Sequence, residues 1–162
     1  GPIKVMAFYG FFTFNSALFS YFGQFFVSIV KNTKAAMILC GVYIGFNNLF
    51  AGLIILPKQM LGTPYVATYY ITPGHYIFEG EIASIMDNDL RTVVATAGGD
   101  FYDFLVQKGK CSEGQQSICQ GFQSDYIEFF FGGDFKAEHI ARNAIILGVL
   151  LVLVRLGTWA GL

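Results

Sequence analysis

The side chains that could do chemistry are few in this sequence, and most of them stand apart from one another. Glu79 and Glu81 are two residues apart, so on a helix they point to different faces and cannot work as a paired acid and base. His75 follows Pro73-Gly74 at an expected helix start, where a solvated or capping role fits better than a proton relay. His139 stands beside Glu138 and Arg142 and reads as an interface residue. No Ser-His-Asp, Cys-His or metal-ligand spacing is present, so no catalytic group and no metal ligand is assigned. There is no G-x-x-x-x-G-K-[ST] loop, so the chain cannot cradle the phosphates of ATP. What remains are polar residues inside apolar runs. Asn47 and Asn48 interrupt one such run, and Gly45, Asn48 and Gly52, spaced three and four apart, would share one helix face. Two uses fit that face: a small-residue helix contact with an interhelical amide bond, or the wall of a wet cavity. Glu79 is expected to bond buried polar groups, such as an asparagine, a tyrosine or backbone of a neighbouring span.

The elements that must position these residues are apolar. The chain is 54% hydrophobic and only 13% charged, with 18 phenylalanines in 162 residues. A soluble domain of that size leaves about a third of its unfolded surface exposed and could not hide so much apolar area. The lipid bilayer is the expected partner. Net charge is −1, so no basic field points to nucleic acid. Residues 5–30 carry no charge and would reach roughly 39 Å as a helix; residues 35–56 would reach roughly 33 Å. Residues 61–86 are apolar and aromatic but are broken by Gly62, Pro64 and Pro73-Gly74. They read as a re-entrant helical hairpin, which is tolerated only where protein or a wet cavity covers its broken backbone; a soluble amphipathic hairpin is the alternative. Residues 87–138 hold nine acidic and four basic side chains, a balance of −5, and read as a folded loop of short helices and turns. Residues 140–162 form a third apolar run. The fold class expected is an all-α membrane protein with three transmembrane helices, a re-entrant hairpin and a folded extracellular loop.

Charge orients these elements. Lys31 and Lys34 sit in a very short loop, which the positive-inside rule places in the cytoplasm. The acidic loop then lies outside, and Arg155 returns to the inner interface, where its long side chain can snorkel. Cys111 and Cys119, eight residues apart in the outer loop, stand where an oxidising compartment permits a disulfide. Cys40 reads as a packing residue. The plasma membrane or a secretory-pathway membrane suits this arrangement.

The run Ser20-Tyr21-Phe22-Gly23-Gln24, then Val27-Ser28-Ile29-Val30 and a short polar break, resembles the fourth span of G-subfamily ABC transporters, the White and pleiotropic-drug-resistance types. Asn48-Leu49-Phe50-Ala51-Gly52-Leu53-Ile54-Ile55 is similar to the fifth span of that family. Tyr69-Tyr70-Ile71-Thr72-Pro73, then Tyr76 and Glu79-Gly80, resembles the re-entrant hairpin that follows it. The outer-loop cysteines, Asp125-Tyr126-Ile127 and Arg155 follow in the same order. The resemblance implies the C-terminal part of an ABC-2-type transmembrane domain, carrying spans four to six. It implies that Gly45, Asn48 and Gly52 face a substrate cavity at a dimer interface, and that Leu53 and Ile54 form a hydrophobic plug above it. It implies a second transporter half as homo- or heterodimer partner. ATP and Mg would be held by a nucleotide-binding domain, N-terminal to this segment or on a partner chain, and the cargo would be lipid, sterol or drug-like. Two other readings stay open on the residues alone: a channel subunit with a re-entrant hairpin, and an accessory membrane subunit that transports nothing.

Overall fold

A computed structural model of the chain describes residues 2–60, 62–86, 91–111, 118–133, 135–136 and 138–161. The expected hairpin boundary at Leu61, the first four residues of the expected loop and Leu162 lie outside the described residues. The fold is mostly helical. Helix α1, Pro2–Val30, opens on a proline, the residue best suited to a first helical position because its missing N–H needs no partner there. It stops where Lys31 takes a left-handed φ of 53°. Asn32 then caps helix α2, Thr33–Phe50, by accepting from the Lys34 and Ala35 amides at 3.0 and 3.4 Å. The two helices therefore fold back on each other through a two-residue turn. Their seam is aromatic: Tyr43 lies within 6.5 Å, centroid to centroid, of Phe19, Phe22 and Phe26.

Helix α2 ends six residues short of the apolar run that contains it. Gly52 has φ +98°, a conformation L side chains rarely adopt, and Pro57 follows. A Cβ at Gly52 would lie 3.2 Å from the Tyr69 ring and 3.5 Å from Pro57, so the bend is also tight. The expected helix over residues 35–56 is thus shortened to 33–50, with residues 51–55 as a bend. The short helices α3, Pro57–Met60, and α4, Val66–Ile71, follow. Thr72 is extended, as the residue before a proline prefers, and Pro73 opens α5, Pro73–Met86.

The polar segment differs from expectation by holding a small sheet. Strands β1, Thr92–Thr96, and β2, Ile118–Phe122, pair antiparallel with Thr92 opposite Phe122 and Thr96 opposite Ile118. Helix α6, Asp100–Gln107, lies against them so closely that a Cβ on Gly121 would come within 2.9 Å of the Leu105 methyls. Ala95, Tyr102, Leu105 and Cys119 make this unit's own core. Helix α7, Gln123–Phe131, is fixed at its start by Asp125, whose Oδ2 accepts from the Phe122 amide at 3.0 Å. Lys110 Nζ donates to both carboxylate oxygens of Asp125 at 2.6 and 2.7 Å, and Lys108 pairs with Glu128. Burial opposes the charge on Asp125, but the Lys110 ammonium and the Phe122 amide outweigh it and hold the carboxyl below its usual range.

The last helix, α8, runs His139–Gly161. Among the described residues it is the one helix long and apolar enough, by length and composition, to cross a membrane, with mean hydropathy 2.0. Helix α1 has the length, but Asn15, Gln24 and its serines and glycines dilute its phenylalanines. Helix α2 is only 18 residues long and includes Lys34, Asn47 and Asn48. Gln24 meets Arg155, Phe25 meets Gly157 and Ser28 meets Gly161, so α1 and α8 run parallel. Helix α5 packs against both. The core they share is Phe11, Leu18, Ile77 and Leu147, and Gly80 makes the approach possible: a Cβ there would be 2.4 Å from the Phe11 ring.

Candidate functional site

Burying a carboxylate requires partners. Glu79, on α5, is 1% exposed, and its partners come from the first turn and a half of α8. Asn143 Nδ2 donates to Oε2 at 2.7 Å, and His139 Nδ1 lies 2.6 Å from Oε1. Arg142, half-exposed, reaches Oε2 from 3.5 Å. His139 and Asn143 are four apart and so share a face, which lets one helix present both to a single carboxylate. Asn143 was not singled out from the sequence, although an asparagine inside an apolar run one turn beyond a histidine is the available signal.

His75 is placed differently from expectation. It is 1% exposed rather than solvated, because the start of α5 is pushed in beneath the end of α2 and against Tyr69, whose ring centroid is 3.9 Å away. Neither ring nitrogen has a hydrogen-bond partner among the described residues, and Nε2 lies 3.7 Å from Glu79 Oε2. His139, in turn, contributes to the buried cluster rather than only to a surface.

The start of α5 is held by a side chain from another helix. Asn47, 2% exposed, accepts from the Gly74 amide at 2.9 Å, satisfying one of the donors that every helix start leaves open. Position 74 must be glycine for this: a Cβ would lie 2.6 Å from Asn47 Nδ2 and 3.1 Å from the Ala51 methyl. The neighbouring Asn48 is exposed and lines a recess of about 400 Å³ with Asn15, Leu53, Ile54, Ile77 and Glu81. One asparagine of the pair therefore docks α5 and the other faces open space.

The remaining residues singled out from the sequence divide between these surroundings. Gly45 is exposed on α2 like Asn48. Gly52 does not share their helix face, since it sits in the left-handed bend beyond the helix and is buried against Tyr69 and Pro57. Leu53 and Ile54 are 64% and 61% exposed on that bend, at the edge of the recess. Glu81 reaches the recess while Glu79 faces α8, so the two carboxylates are separated as their spacing implies. Cys111 and Cys119 are joined in a disulfide, with Cα atoms 6.2 Å apart, tying the end of the α6 turn to β2. Cys40 is a free thiol on α2. Among the described residues no group of three or more His, Cys, Asp or Glu side chains is arranged to hold a metal ion. The arrangement offers positioning, a polar recess and a buried charge cluster, not bond-breaking chemistry.

No family model matches the chain, and no solved structure matches it. Three curated proteins of Arabidopsis thaliana are similar to it. ABC transporter G family member 41 is 31% identical over 67 residues, 41% of this chain and 5% of the relative. Member 30 is 33% identical over 67 residues, with the same coverage of 41% and 5%. Member 35 is 29% identical over 114 residues, 70% of this chain and 7% of the relative. The chain thus matches only 5–7% of the length of these much longer proteins. These similarities relate the chain to the G-family ABC transporters, and α8 is long and apolar enough to cross a membrane.

Proposed function

We propose that this chain is the C-terminal part of the permease domain of an ATP-driven exporter. The observation that carries the reading is the similarity to three G-family ABC transporters, which extends over 114 residues in one of them. The helix directions support it: α1 and α8 run parallel and α2 folds back between two turns, as spans four, five and six of one domain would. In this reading residues 5–30, 35–56 and 140–162 cross the membrane. The 18 residues of α2 supply roughly 27 Å and the bend after Phe50 completes the crossing. Residues 61–86 are the re-entrant hairpin. Its broken backbone at Thr72-Pro73 is covered by protein, since Thr72, Pro73, Gly74 and His75 are all buried. Residues 87–138 form the extracellular loop, where the Cys111–Cys119 bridge belongs.

The sequence carries no G-x-x-x-x-G-K-[ST] phosphate loop, so no energy-supplying step is assigned to it. A nucleotide-binding domain, on the same polypeptide or a partner, supplies that step. A second transporter half meets this one along the exposed side of α2, where Gly45 and Asn48 face a cavity for hydrophobic or amphipathic cargo. Leu53 and Ile54, exposed in the single chain, meet their counterparts there and separate the inner cavity from the outside. Gly52 contributes by shaping the bend that presents them.

This is tested by replacing both plug residues, Leu53→Ala with Ile54→Ala, in the complete transporter and measuring ATP turnover and export together. Export per ATP is expected to fall several-fold while ATP turnover continues. Unchanged coupling removes the plug, and absence of ATP turnover in the parent protein removes the exporter reading as a whole.

A further inference from the structure

A groove of about 660 Å³ opens at the shared C-terminal end of α1 and α8. It is lined by Gly23, Val27 and Gly161 on its apolar walls, with Gln24, Lys31 and Arg155 at its polar part. The lining is largely apolar, but two cations stand at it. Lys31 has no hydrogen bond or ion pair among the described residues. Arg155 donates one bond, to Gln24 Oε1 at 3.0 Å, and its guanidinium carbon lies 5.3 Å from the Tyr21 ring. No carboxylate among the described residues neutralises either cation. A groove that joins an apolar trough to two unneutralised cations is complementary to a molecule with an anionic head and an acyl tail.

Lys31 sits in the left-handed turn between α1 and α2, φ 53°, and lines the groove from that turn. Gln24 holds Arg155 through one nitrogen, which leaves its other donors for an incoming oxygen. Gly157 and Gly161 let α8 close on Phe25 and Ser28, so the trough lies along a tight helix seam that resists collapse.

We propose that this groove binds an anionic glycerophospholipid of the membrane leaflet on the Lys31 side. Its phosphate is held between Lys31 and Arg155, and one acyl chain lies along Gly23, Val27 and Gly161. Basic pockets between spanning helices on the cytoplasmic side commonly take such headgroups. A free phosphate would use the cations and leave the trough empty, whereas a lipid uses both. The proposal rests on the membrane reading given above, and goes beyond it by assigning a site apart from the cargo path.

The test takes the complete transporter, reconstituted in vesicles of equal parts phosphatidylserine and phosphatidylcholine with the same acyl chains. Lipid retained after detergent extraction is read by mass spectrometry. Phosphatidylserine is expected to be enriched, with a drop of roughly five-fold for each cation removed by Lys31→Gln and Arg155→Gln. Arg155→Lys should keep most of the enrichment, and Val27→Trp, which fills the trough and leaves the cations, should reduce retention of both lipids. Equal retention of the two lipids, or enrichment unchanged in the Lys31→Gln/Arg155→Gln double variant, overturns the site. A carbonate wash of the same membranes separates the two claims. Release of the protein by carbonate overturns the membrane reading itself; retention with unchanged enrichment overturns only the lipid site.

Discussion

Replacing Glu79 with alanine is expected to destabilise the helical bundle by about 3–5 kcal/mol, the range found when one member of a buried charged pair is removed. The carboxylate is buried, and two of its partners, Asn143 at 2.7 Å and His139 at 2.6 Å, lie at full hydrogen-bonding distance. Without it, Asn143, itself wholly buried, keeps a donor that no longer reaches an acceptor, and Arg142 loses its nearest anion. Glu79→Gln keeps an acceptor for Asn143 and should recover roughly half of the loss. The double variant Glu79→Met/Asn143→Leu, which replaces the pair with apolar groups of similar volume, should be more stable than Glu79→Ala. Thermal aggregation of the detergent-purified protein, followed by size-exclusion chromatography, reads all three. If Glu79→Ala matches the parent, the cluster does not hold α5 to α8.

A branched side chain at position 80 should also be damaging. Gly80 meets Phe11 so closely that a Cβ would sit 2.4, 2.5 and 2.6 Å from three ring atoms. Phe11 is 3% exposed and packed with Leu18, Ile77 and Leu147, so the ring has little room to retreat. Gly80→Val is expected to cost about 1–3 kcal/mol, the usual range for overpacking. The diagnostic is coupling: Phe11→Leu should be less harmful in the Gly80→Val background than alone, because the two residues compete for the same volume. Purely additive losses in the double-mutant cycle would show that α1 and α5 do not meet at this point.

Much of this arrangement could be read from residue types. The uncharged runs gave α1 and α8, Pro73 gave the start of α5, and the spacing of Glu79 and Glu81 foretold that one would face inward while the other did not. For Glu79 the sequence offered an asparagine, a tyrosine or backbone of a neighbouring span as partners, and the structure places Asn143 and His139 of α8 there. The end of α2 was not foreseen, although its cause was in plain sight. Gly52 and Pro57 both oppose a helix, but the unbroken apolar run to Leu56 carries no period that says where a helix stops. The two asparagines illustrate a second limit. Adjacent positions on a helix are about 100° apart, and nothing local decides that Asn47 turns to Gly74 while Asn48 turns to the recess. The small sheet was hidden for a different reason. Thr92-Val93-Val94-Ala95-Thr96 is β-branched enough to signal a strand, but its partner is 22 residues further on, and pairing at that distance is set by the core around Leu105. His75 shows the same dependence on tertiary structure, since a histidine at a helix start is buried only when that start is driven beneath another helix.

The proposed function makes this chain part of a pump driven by ATP hydrolysis elsewhere in the protein. The most direct measurement is flux of a fluorescent amphipathic cargo out of sealed vesicles that contain the purified complete transporter, with and without ATP and Mg. Transport is expected to require hydrolysable ATP and to stop with a non-hydrolysable analogue. Flux at the same rate without ATP, running only down the cargo's gradient, would contradict it and make the protein a channel.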